Sequence, residues 1–121
     1  LSRGAAEAVF VENAQLPARC LARNMEELAV RDRARLLRED VRKVLLRSPA
    51  ASVDLVFIDP PYRKNLINVC LTALEERGWL APDAFISAEL EKGAPFRSPE
   101  NWEPLADRVF GQTRLLLWKR A

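Results

Sequence analysis

Apolar positions along the chain change period several times, and each change marks an element. The run Ala8-Val9-Phe10-Val11 within Glu7 to Glu12 predicts a strand closed by an acid. Ala14, Ala18, Leu21, Met25 and Leu28 then recur at alternating spacings of four and three, the stripe of an amphipathic helix. Asn13 is its expected N-cap, and Pro17 is tolerated in its first turn. Arg33 to Arg38 predicts a second strand around Ala34, Leu36 and Leu37, with Glu39-Asp40 at its end before a short helix carrying Val41, Val44 and Leu45. After a loop at 48–52 comes Leu55-Val56-Phe57-Ile58, which has no polar side chain and reads as a central strand buried on both faces. Leu66, Ile67, Cys70, Leu71 and Leu74 share one helix face, and Gly78 ends that helix. Trp79 and Leu80 are expected to pack back as the chain turns through Pro82 and Asp83 into a strand at 84–91. Leu105 to Phe110 and Thr113 to Trp118, parted only by Gly111-Gln112, predict an antiparallel hairpin. At the start, Gly4 is placed as the residue just past a helix end.

Strand and helix thus alternate three times before a last strand and a hairpin. The predicted fold is α/β, Rossmann-like: one domain over 1–121 with a mostly parallel sheet and an antiparallel C-terminal strand.

Composition narrows the chemistry. The 121 residues suit one domain, about half of them are hydrophobic, and no apolar run is long enough to span a membrane. The opening Leu-Ser-Arg-Gly lacks the apolar core of a signal peptide. Cys20 and Cys70 fall in helix-like patterns far apart and read as reduced, buried small residues, which points to the cytoplasm. With no histidine and no paired cysteine spacing, a metal site and a histidine-based acyl-transfer triad are not expected. Net charge is only +2, but seven basic residues lie between Arg31 and Arg47 against three acids. That run reads equally as phosphate-contacting or as an ordinary solvated face in an Arg-rich protein. Arg63 and Lys64 read as nucleic-acid contacts because of what precedes them.

What precedes them is Asp59-Pro60-Pro61-Tyr62 at the end of the central strand. Two prolines stiffen the backbone and remove two N–H donors, so the corner offers carbonyls and a carboxylate as acceptors. Such a corner suits transfer of an electrophilic group to the exocyclic amine of a nucleobase, whose lone pair is delocalised into the ring. Acceptors on both N–H bonds, the Asp59 side chain and the Pro60 carbonyl, would favour the pyramidal amine. Tyr62 would stack on a base taken out of its helix. The competing reading is a Pro-Pro turn in which Asp59 caps the next helix. Acids also end the first two strands, at Glu12 and at Glu39-Asp40. In an open α/β sheet, ligands lie outside the carboxyl ends of the strands, and an acid there can hold a ribose diol; each acid taken singly can equally be a helix-terminal acid.

Together these residues resemble the class I S-adenosylmethionine-dependent methyltransferases of exocyclic amines, and within them the RsmD-type guanine-N2 methyltransferases of small-subunit ribosomal RNA. The resemblance rests on Leu-Ser-Arg-Gly-Ala at 1–5, Val-Phe-Val-Glu at 9–12, Glu-Asp-Val-Arg-Lys-Val-Leu at 39–45, Asp-Leu-Val-Phe-Ile-Asp-Pro-Pro-Tyr at 54–62, Gly-Trp-Leu at 78–80 and Arg-Val-Phe-Gly-Gln-Thr at 108–113. It implies a seven-stranded fold, S-adenosyl-L-methionine as cofactor, Glu12 on its ribose, Asp40 near its adenine, and Asp59 to Tyr62 around the target guanine. The implied partner is small-subunit ribosomal RNA or its assembly intermediate.

The family's glycine-rich loop between first strand and first helix has no counterpart among Gly4, Gly78, Gly93 and Gly111. The chain therefore reads as the C-terminal two-thirds of such an enzyme, inactive alone, and associating with the N-terminal remainder or with a second copy. A DNA adenine-N6 methylase and an inactive nucleic-acid- or protein-binding scaffold are the alternatives.

Overall fold

The computed structural model describes residues 4–30, 32–49, 51–59 and 66–120. Its contacts group into two compact units, Leu1–Val44 and Leu45–Ala121.

In the first unit, β1 (Ala8–Val11) and β2 (Ala34–Leu37) pair in parallel with Val9 opposite Arg35 and Val11 opposite Leu37, and α1 (Gln15–Glu27) connects them. Ala34 and Ala18 are buried, and their small size lets helix and strand approach closely. The start of α1 differs from expectation. Its N-cap is Ala14, in extended conformation and without a side-chain cap, while the Ala14 N–H donates to Glu12 Oε1 at 3.0 Å. Asn13 does not cap the helix; the Glu12 carboxylate instead holds the N–H of the N-cap residue itself. At the other end, Ala29 adopts φ +52°. Its N–H donates to the Glu26 carbonyl and that of Val30 to the Met25 carbonyl, the paired bonds that close a helix through one left-handed residue. Glycine is the usual occupant of such a position, so alanine here carries backbone strain. The short helix α2 (Val41–Leu45) follows β2.

In the second unit the sheet order is β3-β4-β6-β5, built from β3 (Val53–Ile58), β4 (Leu80–Glu91), β5 (Trp102–Phe110) and β6 (Thr113–Arg120). β3 and β4 are parallel; β6 is antiparallel to both β4 and β5. α3 (Leu66–Glu76) lays Leu66, Ile67, Cys70, Leu71, Ala73 and Leu74 into the core. β4 answers with Ala84, Ile86, Ala88 and Leu90, a period of two that buries one face of the strand. Trp118 of β6 is buried, with its ring centroid 5.8 Å from that of Trp102 in an edge-on pair. The Trp102 indole N–H donates to Glu75 Oε2 at 2.6 Å, and Arg120 Nη1 donates to the Leu80 carbonyl at 2.6 Å, so the buried polar groups at this end have partners.

Three expectations need correction here. β4 begins at Leu80 and runs through Pro82 and Asp83 where a turn was expected. The irregularity is absorbed in the register, which steps from Val53 opposite Leu80 to Leu55 opposite Phe85. β3 is not buried on both faces: Leu55 is 52% and Phe57 77% exposed, because α3 covers only the other face of this sheet and, among the described residues, β3 pairs only with β4. Cys20 is exposed and Cys70 is buried, and neither is in a disulfide. Among the described residues no helix is long and apolar enough to cross a membrane.

Candidate functional site

The carboxyl end of the first unit's sheet gathers two of the predicted acids. Glu12 directly follows β1, and its N–H donates to the Leu37 carbonyl at 3.0 Å, extending the ladder by one residue. Parallel pairing therefore puts Glu12 at the same sheet end as Arg38, Glu39 and Asp40. Glu12 is half-buried, and one of its oxygens is used by the Ala14 N–H.

Asp40 is differently engaged. Its Oδ1 accepts from the Arg42 backbone N–H at 2.9 Å and from Arg42 Nε at 3.1 Å, and its Oδ2 accepts from Arg42 Nη2 at 2.7 Å. Its own carbonyl receives the Lys43 and Val44 N–H groups as α2 begins. The Arg42 side chain, then its backbone N–H, hold the Asp40 carboxyl down at about 2, well below its ordinary 3.8. Asp40 is therefore the cap of α2 and half of a forked ion pair. Arg42 was not singled out in the sequence; an acid followed two residues later by arginine at a helix start is the pattern that signals such a clamp.

Asp59 follows β3 at its carboxyl end in the second unit, exposed, with no hydrogen bond or ion pair among the described residues. Pro60, Pro61, Tyr62, Arg63 and Lys64 lie outside the described residues. A shallow groove of about 350 Å³ runs along α3, lined by Leu46, Asn68, Val69, Thr72, Glu76 and Arg77; none of the predicted site residues borders it.

An exposed acid at the end of a parallel strand is where the resemblance puts Asp59. Residues 1–119 match the model of the family described as Conserved hypothetical protein 95. The chain belongs to that family. It is 32% identical over 122 residues to the ribosomal RNA small subunit methyltransferase D of Escherichia coli K12, covering 99% of this chain and 60% of that protein. Against the protein of the same name from Haemophilus influenzae it is 33% identical over 113 residues, covering 92% of this chain and 58% of the relative. The chain thus spans about three-fifths of the length of these curated relatives.

Among solved structures, one from Haemophilus influenzae, provisionally called a methylase, superposes with a TM-score of 0.89 at 30% identity over 98% of this chain and 75% of that one. A methyltransferase from Geobacter sulfurreducens, 17% identical, superposes with a TM-score of 0.69 over 94% of this chain and 58% of that one, and supports the fold alone. The Rossmann-like methyltransferase fold, with parallel strands and an antiparallel C-terminal strand, is the fold of this chain.

Proposed function

We propose that the protein to which these residues belong transfers a methyl group from S-adenosyl-L-methionine to an exocyclic amine of a nucleobase in small-subunit ribosomal RNA, guanine N2 being the preferred acceptor. The observation that carries the reading is an exposed carboxylate, Asp59, without a partner among the described residues, at the carboxyl end of a parallel strand and at the head of Asp-Pro-Pro-Tyr, in a chain about a third identical to proteins named for ribosomal RNA methylation.

Glu12 suits the ribose of the cofactor. It ends a strand at a sheet edge, is half-buried, and spends one carboxylate oxygen on the Ala14 N–H, which leaves the other for a hydroxyl donor. Asp40 suits the cofactor less well through its side chain, since both oxygens are occupied by Arg42; what it offers at that sheet end is a fixed backbone. When bound, the cofactor supplies an electrophilic methyl. The rest is the work of this chain's residues: Asp59 and the Pro60 carbonyl accept the two amine N–H bonds and free its lone pair, Tyr62 stacks on the base, and Arg63 with Lys64 contacts neighbouring phosphates.

Mass spectrometry of nucleosides from ribosomal RNA and from DNA, in a strain lacking the gene and in the complemented strain, tests the reading. Complementation should restore N2-methylguanosine in the small-subunit RNA. Restoration of N6-methyladenosine in DNA, or of nothing, would overturn it.

A further inference from the structure

The basic run between Arg31 and Arg47 divides, in the structure, into engaged and unengaged residues. Arg42 is clamped to Asp40, Lys43 faces the same carboxylate, and Arg47 has a partner; Arg31 lies outside the described residues. Arg33, Arg35 and Arg38 remain. All three are exposed, and among the described residues their side chains make no ion pair and no hydrogen bond. Arg33 immediately precedes β2, Arg35 lies in it opposite the exposed Val9, and Arg38 immediately follows it. At about 3.3 Å per residue the three positive charges are spread over roughly 17 Å along β2, which among the described residues has a neighbour on one side only; side chains alternate along a strand, so Arg33 and Arg35 share one face and Arg38 lies at the strand's end on the other. No acid interrupts residues 33–38, and among the described residues Asp32 beside them makes no ion pair; Glu39 follows Arg38, and Glu12 lies at the same sheet end.

Like charges gathered without acidic partners repel one another and favour binding of a polyanion. We propose that Arg33 and Arg35 on one face of β2, with Arg38 at its end, make this strand a phosphate-contacting edge, the stripe that positions the RNA backbone of the substrate. This rests on the RNA reading above and assigns to β2 a role in substrate affinity that is separate from the Asp59 corner. A charged edge strand also discourages sheet-to-sheet aggregation, and any charge serves that purpose equally, whereas only positive charge binds phosphate.

The test uses the protein expressed from its whole gene and a transcript of small-subunit ribosomal RNA, with affinity measured against salt concentration. Each lost contact to single-stranded RNA lowers the slope of log K against log salt by about 0.7, so R33Q/R35Q/R38Q should lower it by about 2 and the single variant R35Q by about 0.7. R33K/R35K/R38K should keep most of the slope. R33E/R35E/R38E, which keeps a charged edge, should remain monomeric yet bind more weakly than the glutamine variant. In methylation assays the glutamine variant should raise KM for RNA several-fold with kcat unchanged. An unchanged slope in the triple glutamine variant, with wild-type protein binding and methylating the RNA, would overturn the stripe alone. A wild-type protein that neither binds nor methylates the RNA would overturn the stripe together with the RNA reading.

Discussion

The face of the second unit's sheet opposite α3 is open and apolar. Leu55 and Phe57 of β3 and Phe85 of β4, which pairs with Leu55, are 52%, 77% and 40% exposed. An aromatic side chain buries about 150–250 Å² when enclosed, so these three leave roughly 300 Å² of apolar surface in water, at the size where patches on monomers are commonly functional. At about 25 cal/mol per Å², covering the patch is worth roughly 7 kcal/mol gross, and twice that when two copies cover each other. Association costs about 4–15 kcal/mol before any contact is counted, so cover of this patch alone by another polypeptide lies near break-even, whereas mutual cover by two copies offsets the cost over most of that range. The expectation is that a polypeptide of residues 1–121 alone self-associates at micromolar concentration or is stable only with a second polypeptide. With no glycine-rich loop among its residues, it should also bind S-adenosyl-L-methionine weakly or not at all and methylate nothing. Sedimentation velocity on that polypeptide and on Leu55→Lys/Phe57→Lys measures the first point. The double variant should move the population toward monomer while its urea midpoint changes little, since both side chains are already wet. Calorimetric titration with the cofactor measures the second. A monodisperse monomer with micromolar cofactor affinity would refute the reasoning.

Asp59→Ala should lower single-turnover methylation by about 10²–10³ with cofactor affinity little changed, as read by stopped assays beside calorimetry; near-normal turnover would remove Asp59 from the site. At Tyr62, replacement by phenylalanine should be mild and by alanine severe, by about 1–3 kcal/mol per stacked base in RNA affinity, and equal impairment would mean that the hydroxyl rather than the ring face matters. Asp40, held at about 2 against an ordinary 3.8, stabilises the folded state above about pH 4 and loses that contribution as pH falls toward 2. Urea midpoints of wild type and Asp40→Asn should therefore differ near neutrality and converge by about pH 2; a gap independent of pH would assign the loss to packing. Ala29→Gly should raise stability by about 0.5–1 kcal/mol in thermal unfolding, because it relieves a left-handed alanine at the end of α1.

Elements whose side chains repeat strictly were legible in the sequence. Leu66, Ile67, Cys70, Leu71 and Leu74 predicted the buried face of α3, and the Gly111-Gln112 interruption predicted the β5–β6 hairpin. What failed turned on partners the pattern cannot see. Leu55 to Ile58 reads as a strand enclosed on both sides because composition records the environment a strand is suited to, and α3 encloses one face only. Pro82 reads as a turn because proline cannot donate to a ladder, yet a register shift between β3 and β4 accommodates it. Cys20 shares its helix with Ala18, but Ala18 is the residue of α1 that is buried, and a cysteine two positions along points elsewhere.

The candidate acids show the same limit more sharply. Glu12, Asp40 and Asp59 are one signal in the sequence, a carboxylate where a strand ends, and a helix cap and a ligand-binding acid both satisfy it. Their remaining hydrogen-bond capacity separates them. Asp40 is saturated: a backbone N–H and a forked guanidinium from Arg42 occupy both oxygens, so any further donor must displace a charge-assisted bond. Glu12 accepts the Ala14 N–H with one oxygen and keeps the other among the described residues. Asp59 has both, and no local N–H competes for them among the described residues. A carboxylate without a partner among the described residues, at the exposed end of a parallel strand, contributes nothing through them to the strand that carries it. The order of free capacity, Asp59 over Glu12 over Asp40, is therefore the order in which these acids should respond to ligand rather than to folding, and it makes Asp40→Asn a stability variant where Asp59→Ala is a turnover variant.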